Sequence, residues 1–106
     1  MSHLAADTTD PIDAIVLHED DDVATALKPI AAGAEAKVRG PDGVSRVRIS
    51  EDIPLCHKLA LRTLIPGETV RKYGEVIGEM TAEAAAGAHV HVHNMTSLRA
   101  RRPFPA

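Results

Sequence analysis

The residues with the clearest chemical potential are three histidines that alternate with valines in the segment His89-Val90-His91-Val92-His93. Because successive side chains of a β-strand point to opposite faces, a strand here would place all three imidazoles on one face. Neighbours two residues apart are separated by about 6.5–7 Å at the backbone, so two imidazoles could lean together and bind one metal ion. The outer pair, His89 and His93, should be too far apart to share an ion. The alternative is an ordinary polar face of a half-buried strand.

A second cluster is Cys56-His57-Lys58. Pro54 before it and the apolar residues after it predict a loop that enters a helical turn. Cys56 could be a soft metal ligand, a reactive thiol or a small buried residue. Lys58 could hold a carboxylate as a point charge, or it could simply be solvated.

A third cluster, Arg71-Lys72-Tyr73-Gly74, ends a predicted strand over residues 69–73. On a regular strand Lys72 and Tyr73 face opposite sides, so both can line one pocket only if Gly74 marks a bulge. The alternative for Tyr73 is a core aromatic residue whose hydroxyl group is hydrogen-bonded.

An acidic segment at residues 18–22 could attract a hard cation. It lacks the ligand spacing of a calcium-binding loop, however. A solvated turn, or a helix cap at Asp21 or Asp22, is therefore the favoured interpretation.

Composition limits the classes of protein to which the chain can belong. Its 106 residues suffice for one domain. A net charge of −3, the absence of tryptophan and an aromatic content of 2% argue against binding to nucleic acids or to anionic membranes. The single cysteine permits no internal disulfide, which is typical of the cytoplasm. Neither a signal peptide nor an apolar run of about 20 residues, as a membrane span needs, can be recognised.

The elements that must position these clusters are mainly β. Strands are predicted over residues 12–17, 44–49, 69–73 and 88–93, with Val47 and Ile49 facing inward. Short helical segments are predicted over residues 22–27, 57–64 and 82–86. Residues 1–11 are interpreted as a flexible arm, residues 12–98 as the domain, and residues 99–106 as a basic, proline-containing tail.

An internal repeat supports this organisation. Residues 26–33 align with residues 60–67 at an offset of 34, and a weaker third copy ends at Gly87. Each copy is an apolar segment, a glycine turn and then a predicted strand. We interpret the repeat as one supersecondary unit that is used again, because a solenoid needs at least three clear copies at one period.

Four segments, in the same order along the chain, match the pattern of one family. They are His18-Glu19-Asp20-Asp21-Asp22-Val23-Ala24-Thr25-Ala26-Leu27, Ile53-Pro54-Leu55-Cys56-His57-Lys58-Leu59-Ala60-Leu61, Lys72-Tyr73-Gly74-Glu75-Val76-Ile77-Gly78 and Gly87-Ala88-His89-Val90-His91-Val92-His93-Asn94. Through them the chain resembles the SAF-type small domain of the altronate and galactarate dehydratase family, which includes sulfolactate sulfo-lyase small subunits. Two positions depart from the family pattern: Asp22 stands in place of asparagine and Cys56 in place of glycine.

The resemblance implies a SAF-type β-clip fold, here with short helical connectors, and a lyase activity that depends on a divalent metal, with iron expected. It implies a small subunit that completes the active site of a large dehydratase subunit acting on a sugar acid. On this basis we expect the metal to be bound by His91 and His93 and shared with the partner. The expected catalytic residues are His57, Lys58, Lys72 and Tyr73, and the expected substrate-binding residues are Lys58, Lys72 and Asn94.

Two alternatives remain at this point. The chain could be a sulfolactate sulfo-lyase small subunit, which expels sulfite instead of water. It could also be a non-catalytic module that binds a carbohydrate or a protein through the same face. Self-association of the isolated chain is compatible with each of them.

Overall fold

Short apolar segments separated by tight turns form nine strands in the computed structural model, which describes residues 11–97. The strands are β1 (Ala14–Ile15), β2 (Val23–Ala26), β3 (Glu35–Gly40), β4 (Gly43–Arg48), β5 (Lys58–Ala60), β6 (Thr69–Lys72), β7 (Glu75–Met80), β8 (His89–Val90) and β9 (Met95–Ser97). The mainly β architecture predicted from the sequence is confirmed.

The strands form two sheets. One has six strands in the order β4-β3-β1-β2-β5-β8, and the other has three in the order β6-β7-β9. Every pairing between these strands is antiparallel except that of β1 with β3. This two-sheet arrangement agrees with the expected β-clip fold.

Two hydrophobic clusters form the core, and the central strands contribute to both. Ala24 and Leu59 are buried in one cluster, and their neighbours Val23 and Ala60 are buried in the other. Because adjacent side chains of a strand point to opposite faces, β2 and β5 are covered on both faces. The second cluster also contains Met80 of β7, so it joins the two sheets.

The predicted short helices are wrong, because residues 11–97 contain no helix. Strands β2 and β5 occupy the segments 22–27 and 57–64, and in the third segment Ala84 forms an antiparallel bridge with Leu64. Strands that are buried on both faces have continuous apolar sequences without alternation. Periodicity therefore could not distinguish β2 and β5 from buried helical turns.

The internal repeat is present, and it has four copies in the described residues instead of three. Each copy has an apolar residue in an isolated bridge, followed by a β-turn with a positive φ at its third residue and then by a strand. The bridged pairs are Ile30 with Ile53 and Leu64 with Ala84. The residues with positive φ are Gly33 (90°), Cys56 (70°), Gly67 (92°) and Gly87 (84°). Cysteine at position 56 conceals the fourth copy in the sequence.

Other strand predictions are confirmed in part. β4 matches the segment 44–49 apart from its ends, with Ile49 buried and Val47 packed against the core. The segment 88–93 contains only the two-residue β8, and Val92 is 77% exposed. The predicted tail and all of the predicted arm except Pro11 lie outside the described residues. The described part has no helix that could span a membrane.

Candidate functional site

The acidic segment attaches the three-stranded sheet to the six-stranded sheet. The buried carboxylate of Asp21 accepts hydrogen bonds from the backbone amides of Tyr73 (2.9 Å) and Gly74 (2.7 Å). The Asp22 carboxylate accepts one from the Arg71 amide at 2.8 Å. The helix-cap interpretation of this segment is therefore wrong, because these carboxylates cap the β-hairpin formed by β6 and β7.

This hairpin turn places Lys72 and Tyr73 side by side. Tyr73 (φ 57°) and Gly74 (φ 81°) have consecutive positive φ values, as a tight type I′ turn requires. The register shift lies between Val70 and Arg71, not at Gly74. Lys72 Nζ lies 4.8 Å from the centre of the Tyr73 ring, and Tyr73 is 48% exposed. The interpretation of Tyr73 as a core residue is therefore wrong.

The histidine segment is a short strand followed by a turn, which corrects the predicted strand over residues 88–93. The His91 amide donates to Asn94 Oδ1 at 2.9 Å, and Asn94 Nδ2 donates to the His89 carbonyl at 2.9 Å. The Asn94 amide also donates to the His91 carbonyl at 3.0 Å. These bonds reverse the chain after Val90. Asn94 is buried and its side chain holds this turn, while the substrate contact expected of it stays a prediction.

The turn brings four imidazoles together. The His57 ring is 4.1 Å from the His91 ring and 5.0 Å from the His89 ring, measured between ring centres. Strands β5 and β8 are antiparallel, and Leu59 pairs with His89. This register extends toward His57 from one strand and His91 from the other, so the two rings lie opposite each other. The His89 and His93 rings are 5.1 Å apart, so the expected separation of this pair is wrong. That expectation assumed a flat strand, whereas the chain turns.

Three of these residues form a ligand-like group. Nitrogen atoms of His57, His89 and His91 all lie within 4.8 Å of one another, and His57 Nδ1 lies 2.8 Å from His89 Nε2. His93 is exposed and lies outside this group. Sequence reasoning singled out His57 for proton transfer and did not connect it with His89. The signal that could have connected them is the β5–β8 pairing.

The electrostatics of the cluster favour the neutral form of His89 and His91. Burial lowers the pKa of His89, and the charges of His57, His93 and His91 lower it further, while Glu51 opposes them. Burial also lowers the pKa of His91, with further lowering by His57 and Lys58. Neutral imidazole is the form that binds metals.

Lys58 is linked electrostatically both to the histidines and to the hairpin tip. Burial lowers the pKa of Lys58, and the nearby charge of Lys72 lowers it further. Lys58 in turn acts on the pKa of His91. Within residues 11–97, neither lysine has an acidic group at ion-pair distance. Among the six predicted catalytic and metal-binding residues, the structure thus shows ring contacts between His57 and His91 and between Lys72 and Tyr73. Lys58 is linked to His91 and to Lys72 by charge alone, and His93 joins the imidazoles through His89.

Cys56 is exposed and forms the left-handed position of the turn before His57. Its amide donates to the Ala26 carbonyl at 2.9 Å, and the His57 amide donates to the Pro54 carbonyl at 3.0 Å. The family glycine at position 56 thus corresponds to a real need for positive φ. The cysteine adopts this conformation and leaves the turn intact.

Comparisons with known proteins agree with this architecture. A family model described as the altronate/galactarate dehydratase SAF domain matches residues 12–98. The (2R)-sulfolactate sulfo-lyase subunit alpha of Paracoccus pantotrophus is 48% identical over 54 residues, which cover 51% of this chain and 81% of that protein. Its counterpart from Chromohalobacter salexigens is 36% identical over 90 residues, covering 79% of this chain and 94% of that protein.

Altronate dehydratases match over a smaller share of their own length. The enzyme of Escherichia coli (strain K12) is 41% identical over 80 residues, which cover 76% of this chain but 15% of that protein. This chain therefore corresponds to a small part of the altronate dehydratases and to most of the sulfo-lyase alpha subunits. By its family match, its motifs and its fold, the chain belongs to the altronate/galactarate dehydratase SAF domain family.

Proposed function

We propose that this chain is the small subunit of a two-component lyase that acts on a hydroxy acid by removing the proton next to the carboxylate and expelling a leaving group from the following carbon. The observation that carries the proposal is the cluster of His57, His89 and His91, near which lies Lys58, itself within electrostatic range of Lys72. Imidazoles can hold a metal or transfer protons, and lysines without acidic partners are suited to an anion. A large subunit would complete the site.

The chain's own residues would bind and orient the substrate. Lys58 and Lys72 would hold its carboxylate, because each is half-buried and neither has an acidic partner among the described residues. The Tyr73 hydroxyl, exposed beside Lys72, would exchange a proton with the substrate. His93, exposed beside His89, would be available for contact with the large subunit.

A divalent metal, expected to be iron, would be held by imidazoles of this cluster. The donor chemistry fits, because imidazole suits iron and other late transition metals. When bound, such an ion supplies Lewis-acid stabilisation of negative charge that develops on the substrate carboxylate.

The leaving group distinguishes two versions of the proposal. A dehydratase would expel water from a sugar acid such as altronate or galactarate, whereas a sulfo-lyase would expel sulfite from sulfolactate. The match that covers 94% of the length of a sulfo-lyase alpha subunit supports the second version. The match to the Escherichia coli altronate dehydratase supports the dehydratase version, although it covers 15% of that enzyme's length.

The test is reconstitution with a large lyase subunit from the same source. Purified chain and partner are assayed separately and together with sulfolactate, altronate and galactarate, and sulfite and 2-oxo acid are measured. We expect activity only in the mixture, with a strong loss in Lys58→Gln and Lys72→Gln. Lys28→Gln is the matched control, because Lys28 pairs with Asp13 in another part of the fold.

Two outcomes would contradict the proposal. Full activity of the large subunit alone would remove the need for this chain. Tight sugar-acid binding by the isolated chain, with no activity in any mixture, would favour the non-catalytic binding module instead.

A further inference from the structure

The histidine cluster contains three potential metal ligands, His57, His89 and His91, that were not predicted together from the sequence. His89 has no role in the expectations drawn from the sequence, yet its imidazole is the one that contacts His57 at 2.8 Å. His93 is an expected metal ligand but lies outside the group whose nitrogens are within 4.8 Å of one another.

We propose that His57, His89 and His91 form a complete three-histidine metal site carried by this chain alone, with His93 outside it. This inference deepens the proposed function and rests on it for the role of the metal, but not for its binding. It replaces the expected pair of His91 and His93 and predicts that the isolated chain arrives at its partner with metal already bound.

The distances are compatible with a single ion. Nitrogens that share one ion at about 2.0–2.1 Å each are separated by about 3–4 Å, according to the angle between them. The His57 and His89 nitrogens, 2.8 Å apart, need to open slightly, and the widest separation, up to 4.8 Å, needs to close by about 0.8–1.8 Å. Small rotations of side chains suffice for both changes.

The backbone around these side chains is firmly held. The His89 amide donates to Glu51 Oε1 at 2.9 Å, and Asn94 bonds the backbone at both His89 and His91. The His57 amide is bonded within its own turn. A frame of this kind orients the ligands before an ion arrives and reduces the entropy lost on binding.

The donor set defines the class of metal. Three imidazole nitrogens favour zinc, iron, cobalt, nickel or copper over calcium or magnesium, which prefer oxygen ligands. Three protein ligands leave coordination positions open for substrate or for a group from the partner. If His57 is a ligand, it cannot also transfer protons, so Tyr73 becomes the candidate for that role within the described residues.

The test compares two isosteric variants of the full-length chain. Zinc is titrated calorimetrically, and cobalt is titrated while its visible absorption reports the coordination geometry. We expect one ion per chain for the natural sequence, a loss of affinity of at least about tenfold in His89→Gln, and a change within about twofold in His93→Gln. Thermal unfolding of metal-free protein confirms that both variants are folded.

Either of two results would overturn the site. The first is an effect of His93→Gln equal to or larger than that of His89→Gln, which would restore the pair predicted from the sequence. The second is the absence of stoichiometric metal binding by the isolated chain. Lyase activity of the reconstituted complex is scored separately, so an active complex whose isolated small subunit binds no metal refutes this site and leaves the proposed function standing.

Discussion

At the scale of single residues, Cys56 shows how a departure from the family pattern can be accommodated. A residue other than glycine in the left-handed region costs about 1–2 kcal/mol relative to the right-handed region. Cys56 has a φ of 70° in a turn whose three related copies all use glycine. The turn nevertheless keeps its hydrogen bonds, so His57 is still presented to the cluster.

We expect Cys56→Gly to raise the free energy of unfolding by about 0.5–1 kcal/mol, because relief of the left-handed strain exceeds the additional chain entropy of glycine. Urea denaturation under reducing conditions measures the change. Leu55→Gly is the matched control, since Leu55 is exposed in the same turn and has no positive φ. It should lower stability by about 0.5–1 kcal/mol. Equal losses in both variants would contradict the strain argument.

At the scale of elements, the four related turns differ in what surrounds them. An added Cβ at Gly87 would overlap the carbonyl oxygen of Arg48 and come within 2.9 Å of its carbonyl carbon. Gly33 has nearly the same φ, but nothing lies within 4 Å of such a Cβ. The turn at Gly87 thus presses the start of β8 against the end of β4, whereas the turn at Gly33 is open to solvent.

This contrast separates backbone strain from steric overlap. Gly33→Ala should lower the free energy of unfolding by about 1 kcal/mol through its positive φ alone. Gly87→Ala carries the same backbone cost and must also displace the Arg48 carbonyl, so we expect a loss of at least about 3 kcal/mol. Chemical denaturation of both variants measures the difference, and equal losses would show that the contact at Gly87 relaxes freely.

At the scale of the whole molecule, the site depends on the attachment of one sheet to the other. The histidines and Lys58 belong to the six-stranded sheet or its flanks, whereas Lys72 and Tyr73 lie at the tip of a hairpin in the other sheet. Asp21 holds that tip through two hydrogen bonds to backbone amides. The Asp21 carboxylate therefore helps to position Lys72 and Tyr73 relative to the six-stranded sheet.

We expect Asp21→Ala to lower the free energy of unfolding by about 2–4 kcal/mol, because two charge-assisted hydrogen bonds are lost and the amides are left without partners. Asp20→Ala is the control, since its side chain is 68% exposed, and its effect should stay within about 0.5 kcal/mol. In folded Asp21→Ala protein, zinc affinity should persist while reconstituted activity falls. A loss of zinc affinity equal to the loss of activity would contradict this division between the two sheets.

Much of the fold could be predicted from the sequence. Turn residues and local alternation located β4, β6 and the glycine turns, because these features depend on backbone chemistry that each residue carries with it. The short β2 and β5 were predicted as helical, since burial on both faces removes the alternation that identifies a strand. The fourth repeat copy was missed because Cys56 occupies the position at which the other copies have glycine.

The order of residues is enough to identify the chemical groups that the chain offers: a family-typical set of histidines, lysines and one tyrosine on a mainly β domain. How these groups are arranged in space follows from the folded chain. The turn after Val90 gathers rings that a flat strand would separate, and the β5–β8 pairing adds His57. The physical reason is that strand pairing depends on contacts between residues distant in sequence, and that the reversal depends on hydrogen bonds of Asn94, neither of which the alternation of histidine and valine reveals.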